Sequence, residues 1–156
     1  MSQVYDPAQL AAERSKIESF VQTVCQKFDW ELYEQAEVTE LVREGLAKNR
    51  IEYGFQACPC YSFLSYHKRD AQGELLRDAK GQPQKNLKVN CPCEPARELD
   101  VPGTKQYASM AEMEQKTAFW PDRGTITENT DGTVTLTSYH PGFCHCFLFK
   151  RPGATL

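Results

Sequence analysis

Cys58-Pro59-Cys60 sets two thiols one residue apart, and the chain repeats that spacing at Cys91-Pro92-Cys93 and Cys144-His145-Cys146. Residues 61–90 separate the first pair from the second, and residues 94–143 separate the second from the third. Six of the seven cysteines obey this one rule, and Cys25 stands alone. A one-residue gap suits an internal disulfide poorly, because bridged Cα atoms sit ~5.5 Å apart in a specific geometry. It suits two thiolates that share one centre, or one that binds while its neighbour stays free. Proline between the cysteines fixes one φ angle and removes an N–H, which stiffens the presentation.

Three readings compete for the six thiols. A structural Cys₄ zinc site ordinarily uses a C-x₂₋₄-C spacing and would leave two thiols over. Ordinary buried cysteines pack as small hydrophobes, but they have no reason to repeat one spacing three times. An iron–sulfur cluster on four thiolates, with the other two forming a redox disulfide, gives all six a task.

Composition narrows the setting. The chain has 156 residues, 40% apolar and 25% charged, which suits one globular domain and leaves little room for two. No apolar run approaches the ~20 residues of a membrane span. The opening MSQVYDPAQLAAERSK has no apolar stretch behind a basic start, so no secretory signal is expected. A net charge of −3 argues against a general nucleic-acid binder. An odd cysteine count fits poorly with a secreted, fully bridged framework, so the expected location is cytoplasmic.

Working outward from the cysteines, residues 6–29 read as an amphipathic helix. Asp6 is its expected N-cap and Pro7 its first residue, with Leu10, Ile17, Val21, Val24 and Phe28 on one face. Cys25 lies at the edge of that face and reads as a packing residue. Trp30 and Tyr33 are expected to pack as aromatics. A second helix is expected over 37–48 on Val38, Leu41, Val42 and Leu46, with Gly45 as a weak point. Residues 49–55 read as a turn leading into the first Cys pair.

Residues 67–90 carry six Lys/Arg against three acids and are punctuated by Gly73, Gly81 and Pro83. They read as an exposed hairpin or loop excursion, either plain solvated surface or a docking site for an acidic partner. Tyr107, Met110, Met113 and Ala118 give a helical pattern over 106–118. Residues 126–137 read as a β-hairpin with a type I′ turn at Asp131-Gly132. Phe147-Leu148-Phe149 reads as a short strand or core anchor. No internal repeat is evident beyond the Cys-x-Cys pairs. His67 and His140 read as surface or turn residues.

The ordered trio CPC, CPC and CHC, with its context, resembles the catalytic subunit of ferredoxin–thioredoxin reductase. Glu44-Gly45-Leu46-Ala47-Lys48-Asn49, Tyr53-Gly54 and then Cys58-Pro59-Cys60 look like that family's approach to its first motif. Cys91-Pro92-Cys93-Glu94-Pro95-Ala96-Arg97-Glu98 looks like the second, and Cys144-His145-Cys146-Phe147-Leu148-Phe149 like the third. The likeness covers roughly residues 10–60, 88–99 and 142–152. It implies a [4Fe–4S] cluster held by Cys58, Cys91, Cys93 and Cys144. It implies a redox disulfide between Cys60 and Cys146, with Cys60 the exposed nucleophile and Cys146 the cluster-proximal resolving thiol. It implies that His145 donates and accepts the proton.

The implied fold is an α+β, mainly α-helical compact single domain, residues 1–156, folded around the cluster. Insertions at about 67–90 and 103–141 carry one or two β-hairpins, since the gaps of plant-type proteins are much shorter. Tyr61 stands where those proteins usually have Arg. The implied activity is an oxidoreductase that draws electrons from ferredoxin or a similar carrier and reduces a disulfide of thioredoxin or another protein. A second subunit is a possible partner; nucleic acid and membrane are not. The alternatives are a metal- or cluster-stabilised binding module without turnover, and a reductase of a small-molecule disulfide.

Overall fold

A computed structural model describes residues 3–117 and 124–156. Helix α1 runs Pro7–Phe28 and helix α2 runs Ala36–Tyr53. Asp6 caps α1 by accepting the Ala8 N–H, and Pro7 opens the first turn, as the sequence predicts. Asp29 ends α1 in the left-handed conformation, and Gly54 does the same for α2 at φ 78°. The second helix runs five residues past the end that its apolar stripe indicates. Asn49 to Tyr53, read as a turn, continue the helix to the glycine that can stop it.

Ile17, Val21 and Val24 of α1 meet Leu46 and Ala47 of α2 in the main core. Cys58, Cys91, Cys93 and Cys144 are members of that same core. Ion pairs rim the helix contact: Arg43 to Glu18 at 2.9 Å and Arg50 to Glu13 at 2.6 Å. Each joins a largely buried side chain to a more exposed one, at the edge of the apolar seam along which the helices meet. Cys25 is half-buried against this core, and burial raises its thiol, with Glu31 adding to it.

Short ladders bring the three motifs together. Cys58 donates its N–H to Val89 O at 2.7 Å, and Cys91 donates to Gln56 O at 2.9 Å. Residues 56–58 and 89–91 thus lie antiparallel and fix the first two pairs side by side. Strands β1 (Glu31–Leu32) and β5 (Phe149–Lys150) pair antiparallel, which anchors the segment after the third motif to the end of α1. Phe28 stacks on Trp30 with ring centroids 4.5 Å apart, and Trp30 packs on Phe149. Leu148 and Phe149 are buried, so the apolar tail acts as the core anchor.

Gly45 has a specific reason to lack a side chain. A Cβ there would meet Pro59 Cβ at 3.1 Å and Cγ at 3.2 Å, so the first motif's proline rests on bare α2 backbone. Gly45→Leu should cost about 1–3 kcal/mol by overpacking, although leucine favours a helix. Thermal unfolding checks the stability, and iron content reports whether the first motif has moved.

The basic stretch is more ordered than a loop excursion, and its sequence repeats. Arg69-Asp70-Ala71-Gln72-Gly73 returns eight residues later as Arg77-Asp78-Ala79-Lys80-Gly81. In each copy the aspartate Oδ1 accepts two backbone N–H groups: Gln72 and Glu74, then Lys80 and Gln82. The arginine of each copy donates to the glycine carbonyl, at 2.8 and 2.9 Å. Lys68, Leu76 and Gln84 close a ring of three backbone hydrogen bonds, each 2.9 Å long. This small three-lobed unit returns to its start, where Asn86 N–H donates to Tyr66 O.

A second small core lies between the second and third motifs. Strands β2 (Thr104–Tyr107), β3 (Gly124–Glu128) and β4 (Val134–Ser138) form an antiparallel sheet in the order β2-β4-β3. Helix α3 (Met110–Thr117) covers it, with Leu99, Tyr107, Met113, Val134 and Leu136 between them. The expected helix over 106–118 thus begins later, because Gln106 and Tyr107 belong to β2; Ala118 lies outside the described residues.

The β3–β4 hairpin forms as expected, but its turn differs. Gly132 alone in the turn has positive φ, at 86°, and Asn129 N–H donates to Thr133 O. That is a three-residue connection with glycine in the left-handed position, where type I′ would need two such residues. Among the described residues no helix is long and apolar enough to cross a membrane.

Candidate active site

The six paired cysteines converge on the main core from three segments far apart in the chain. Cys58, Cys91, Cys93, Cys144 and Cys146 line one small enclosed cavity with His145, closed by Val42, Ala96, Leu148 and Phe149. Cys60 is not on its lining, yet its sulfur lies 3.0 Å from Cys58 Sγ, and Cys146 Sγ lies 2.6 Å from Cys58 Sγ. The sulfurs of Cys58, Cys60 and Cys146 are all within 4.8 Å of one another. Cys58, Cys91, Cys93 and Cys144 are buried, while Cys60 and Cys146 are half-buried. His145 is exposed between its two cysteines.

Local structure explains how each thiol is aimed. Tyr61 N–H closes a turn onto Cys58 O, and the Tyr66 hydroxyl donates to the same carbonyl at 3.3 Å. Asn49, on α2, donates to Ala57 O at 2.7 Å and to Tyr66 Oη at 3.1 Å. Asn49 and Tyr66 are both buried, so the first motif's backbone is clamped from within. Sequence reading placed Asn49 in the family-like approach but gave it no task, and Tyr66 carried no signal. Behind the second motif, Arg97 Nε donates to Pro92 O at 3.0 Å.

At the third motif, Phe147 N–H closes a turn onto Cys144 O, and Phe147 itself has φ 59°. That left-handed residue is costly outside glycine. It turns the chain so that the next two N–H groups, Leu148 and Phe149, both donate to Cys144 Sγ at 3.3 Å. Asp100 ties this region to the second motif: Ser138 Oγ donates to its carboxylate, and Gly142 N–H to its carbonyl.

Burial and crowding act on the thiols in different directions. Burial pushes the Cys91 thiol well above the ordinary cysteine range, with Cys144, Cys93 and Cys60 adding to it. Neighbouring Cys146, then Cys60 and Cys93, push Cys58 up as well. Cys144 moves the other way, held down by hydrogen bonding to Cys146 and then by the two backbone N–H groups. Crowded thiols of this kind resist ionisation by themselves, and bound metal ions supply the positive charge that makes them thiolates. The donor set is therefore chemically suited to an iron–sulfur cluster: sulfur ligands, apolar walls, and N–H donors to a sulfur.

The remaining histidines sit elsewhere. His67 is half-buried with its ring against Phe55 and Tyr53, and burial followed by Arg69 and Lys85 lowers its imidazole. His140 is exposed and its ring packs on Phe147. Four of the excursion's six cations are engaged within the fold. Arg69 and Arg77 hold carbonyls, Lys85 donates to Gly54 O, and Lys88 pairs with Glu94.

The sequence profile of the ferredoxin thioredoxin reductase catalytic beta chain matches residues 8–110, more than half of the chain. The ferredoxin-thioredoxin reductase catalytic chain of Guillardia theta is 29% identical over 82 residues, covering 53% of this chain and 67% of that protein. The profile match ends before the third motif, so Cys144, His145 and Cys146 join the site on structural grounds. Members of this family bind an iron–sulfur cluster and work with ferredoxin, thioredoxin and a variable subunit. With two Cys-x-Cys pairs inside the match and the third folded against them, the chain belongs to the ferredoxin–thioredoxin reductase catalytic beta chain family of disulfide oxidoreductases.

Proposed function

We propose that this chain is an iron–sulfur disulfide reductase that takes electrons from ferredoxin, or a similar low-potential carrier, and reduces a disulfide of thioredoxin or another protein. Cys58, Cys91, Cys93 and Cys144 would hold a [4Fe–4S] cluster, and Cys60 with Cys146 would form the redox pair. One observation carries this assignment. Burial divides six converging thiols into four inside the core and two at its edge. Ligands to a cluster need shelter from water, whereas thiols that meet a substrate need access.

Bound at this site, the cluster supplies single electrons to a reaction that consumes two. The chain's own residues do the exchange. Two electrons and two protons convert the Cys60–Cys146 disulfide into a dithiol. Cys60, as thiolate, attacks one sulfur of the target disulfide; a Cys60–target bond forms, and the other target sulfur leaves and takes a proton. Cys146 then attacks the Cys60 sulfur, which re-forms the internal disulfide and releases the second target thiol. His145, exposed and next in sequence to both Cys144 and Cys146, would hold the proton during these steps.

In this reading residues 1–156 are one catalytic domain, with 67–90 and 103–141 as insertions between fixed motifs. A second subunit is a further partner, and a cytoplasmic setting suits working thiols. The decisive experiment is metal and sulfide analysis of protein purified without oxygen. About four iron and four acid-labile sulfide per chain are expected. Zinc without iron would overturn the cluster, and an iron protein that forms no mixed disulfide would leave a binding module in its place.

A further inference from the structure

The turn after the first motif holds two large apolar side chains in water. Phe63 is 60% exposed and Leu64 54%. Their backbone, however, is tied down at nearly every group. Ser62 Oγ accepts the Leu64 N–H at 3.3 Å, Ser65 N–H donates to Ser62 O at 2.9 Å, and Tyr66 N–H donates to Phe63 O at 3.2 Å. Asn86 Nδ2 donates to Ser65 O at 3.0 Å. Arg69 Nε donates to Leu64 O at 3.3 Å while its Nη1 holds Gly73 O, so one arginine braces the turn against the three-lobed unit.

A slack loop could fold these side chains onto the body and recover about 1.5–3 kcal/mol for each. This turn is built so that they stay outside. Rigid presentation lowers the ordering cost when a partner covers them.

The position matters as much as the exposure. Phe63 is three residues from Cys60 and Leu64 four, so their Cα atoms lie within ~11 and ~14 Å of Cys60 by chain length alone. A protein partner covers about 800 Å² of surface, a disc of ~16 Å radius. A protein that brings a disulfide to Cys60 spans the distance to both residues. A small disulfide reaches the sulfur without touching them. Single exposed apolar residues are ordinary on any surface, and Ile126, on β3 and 43% exposed, serves as the comparison.

We infer that Phe63 and Leu64, braced by Arg69, form a docking platform for the substrate protein and select disulfides set in apolar protein surface over small-molecule disulfides. This rests on Cys60 being the attacking thiol in the reading above. The test uses cluster-loaded, full-length protein with chemically reduced methyl viologen as electron source. Oxidised thioredoxin and hydroxyethyl disulfide are the two substrates.

The Phe63→Ser/Leu64→Ser double variant should raise KM for thioredoxin about tenfold, with kcat unchanged within about twofold. Its kcat/KM for hydroxyethyl disulfide should match wild type. Arg69→Gln, which leaves both apolar side chains in place, should raise the thioredoxin KM by a smaller factor. Ile126→Ser should raise neither. An unchanged thioredoxin KM in the double variant would overturn the platform, and so would an equal loss on both substrates at full iron content. If the double variant fails to load iron, Phe63→Ser alone and Arg69→Gln decide by the same KM comparison. A wild-type protein that reduces neither substrate would sink the reductase reading itself, and the platform with it.

Discussion

A Cys60→Ser protein is expected to keep its iron and lose its turnover. The fall in disulfide reduction should be at least about a thousandfold, the scale of removing a catalytic nucleophile. Iron content and the visible absorption of the cluster should stay at wild-type levels, because Cys60 is outside the proposed ligand set and off the cavity lining. No mixed disulfide with thioredoxin should be trapped, whereas Cys146→Ser should trap one, since attack succeeds there and resolution fails. Mass spectrometry of the trapped species locates the bond. Full activity in Cys60→Ser, or a trapped bond at Cys146, would reverse the two roles. Their similar burial makes this a real test: both are half-buried and both lie within 4.8 Å of Cys58 Sγ.

Cys91→Ala should have the opposite signature. Cys91 is 5% exposed and belongs to the main core with Ile17, Val21 and Leu46. Removing it takes a proposed ligand and a core side chain together. Iron should fall well below one equivalent per chain, and the melting temperature should drop by about 10 °C or more. Stripping iron from the wild type with a chelator should reproduce most of that drop. Cys25→Ala is the control. It removes a half-buried thiol with no proposed role, and should cost about 1 kcal/mol while iron stays bound. Full iron loading in Cys91→Ala would remove Cys91 from the ligand set.

The site was more legible in the sequence than the architecture that holds it. Spacing alone grouped the six cysteines, because chance rarely repeats Cys-x-Cys three times. Helix α1 was equally plain, since its cap, first proline and apolar face all agree. The end of α2 was missed because Asn49 to Tyr53 carry no apolar stripe; Asn49 faces inward to donate to the Ala57 carbonyl and the Tyr66 hydroxyl, and a buried polar residue looks like a turn residue in sequence.

The start of α3 was misread for a related reason. Tyr107 fits a helical spacing with Met110 and Met113, yet all three pack in the small core while Tyr107 pairs with Val134 in the sheet. The eight-residue repeat escaped notice because only arginine, aspartate, alanine and glycine recur, and those residues also mark ordinary turns. The Leu148 and Phe149 N–H groups that reach Cys144 could not be read at all, because a backbone donor has no letter of its own.

The closed ring of Lys68, Leu76 and Gln84 has a consequence for how such a protein can diverge. The three-lobed unit leaves the chain at Tyr66 and re-enters at Asn86, two residues joined by one backbone hydrogen bond. Its length can therefore change without shifting the ladder that sets Cys58 beside Cys91, since that ladder begins only at residue 89 on the return side. The unit behaves as a cassette on a fixed socket. Natural variation or grafting can exchange the unit's own surface while the ladder between residues 56–58 and 89–91 stays the same, so the outer face and the cysteine scaffold are free to evolve separately.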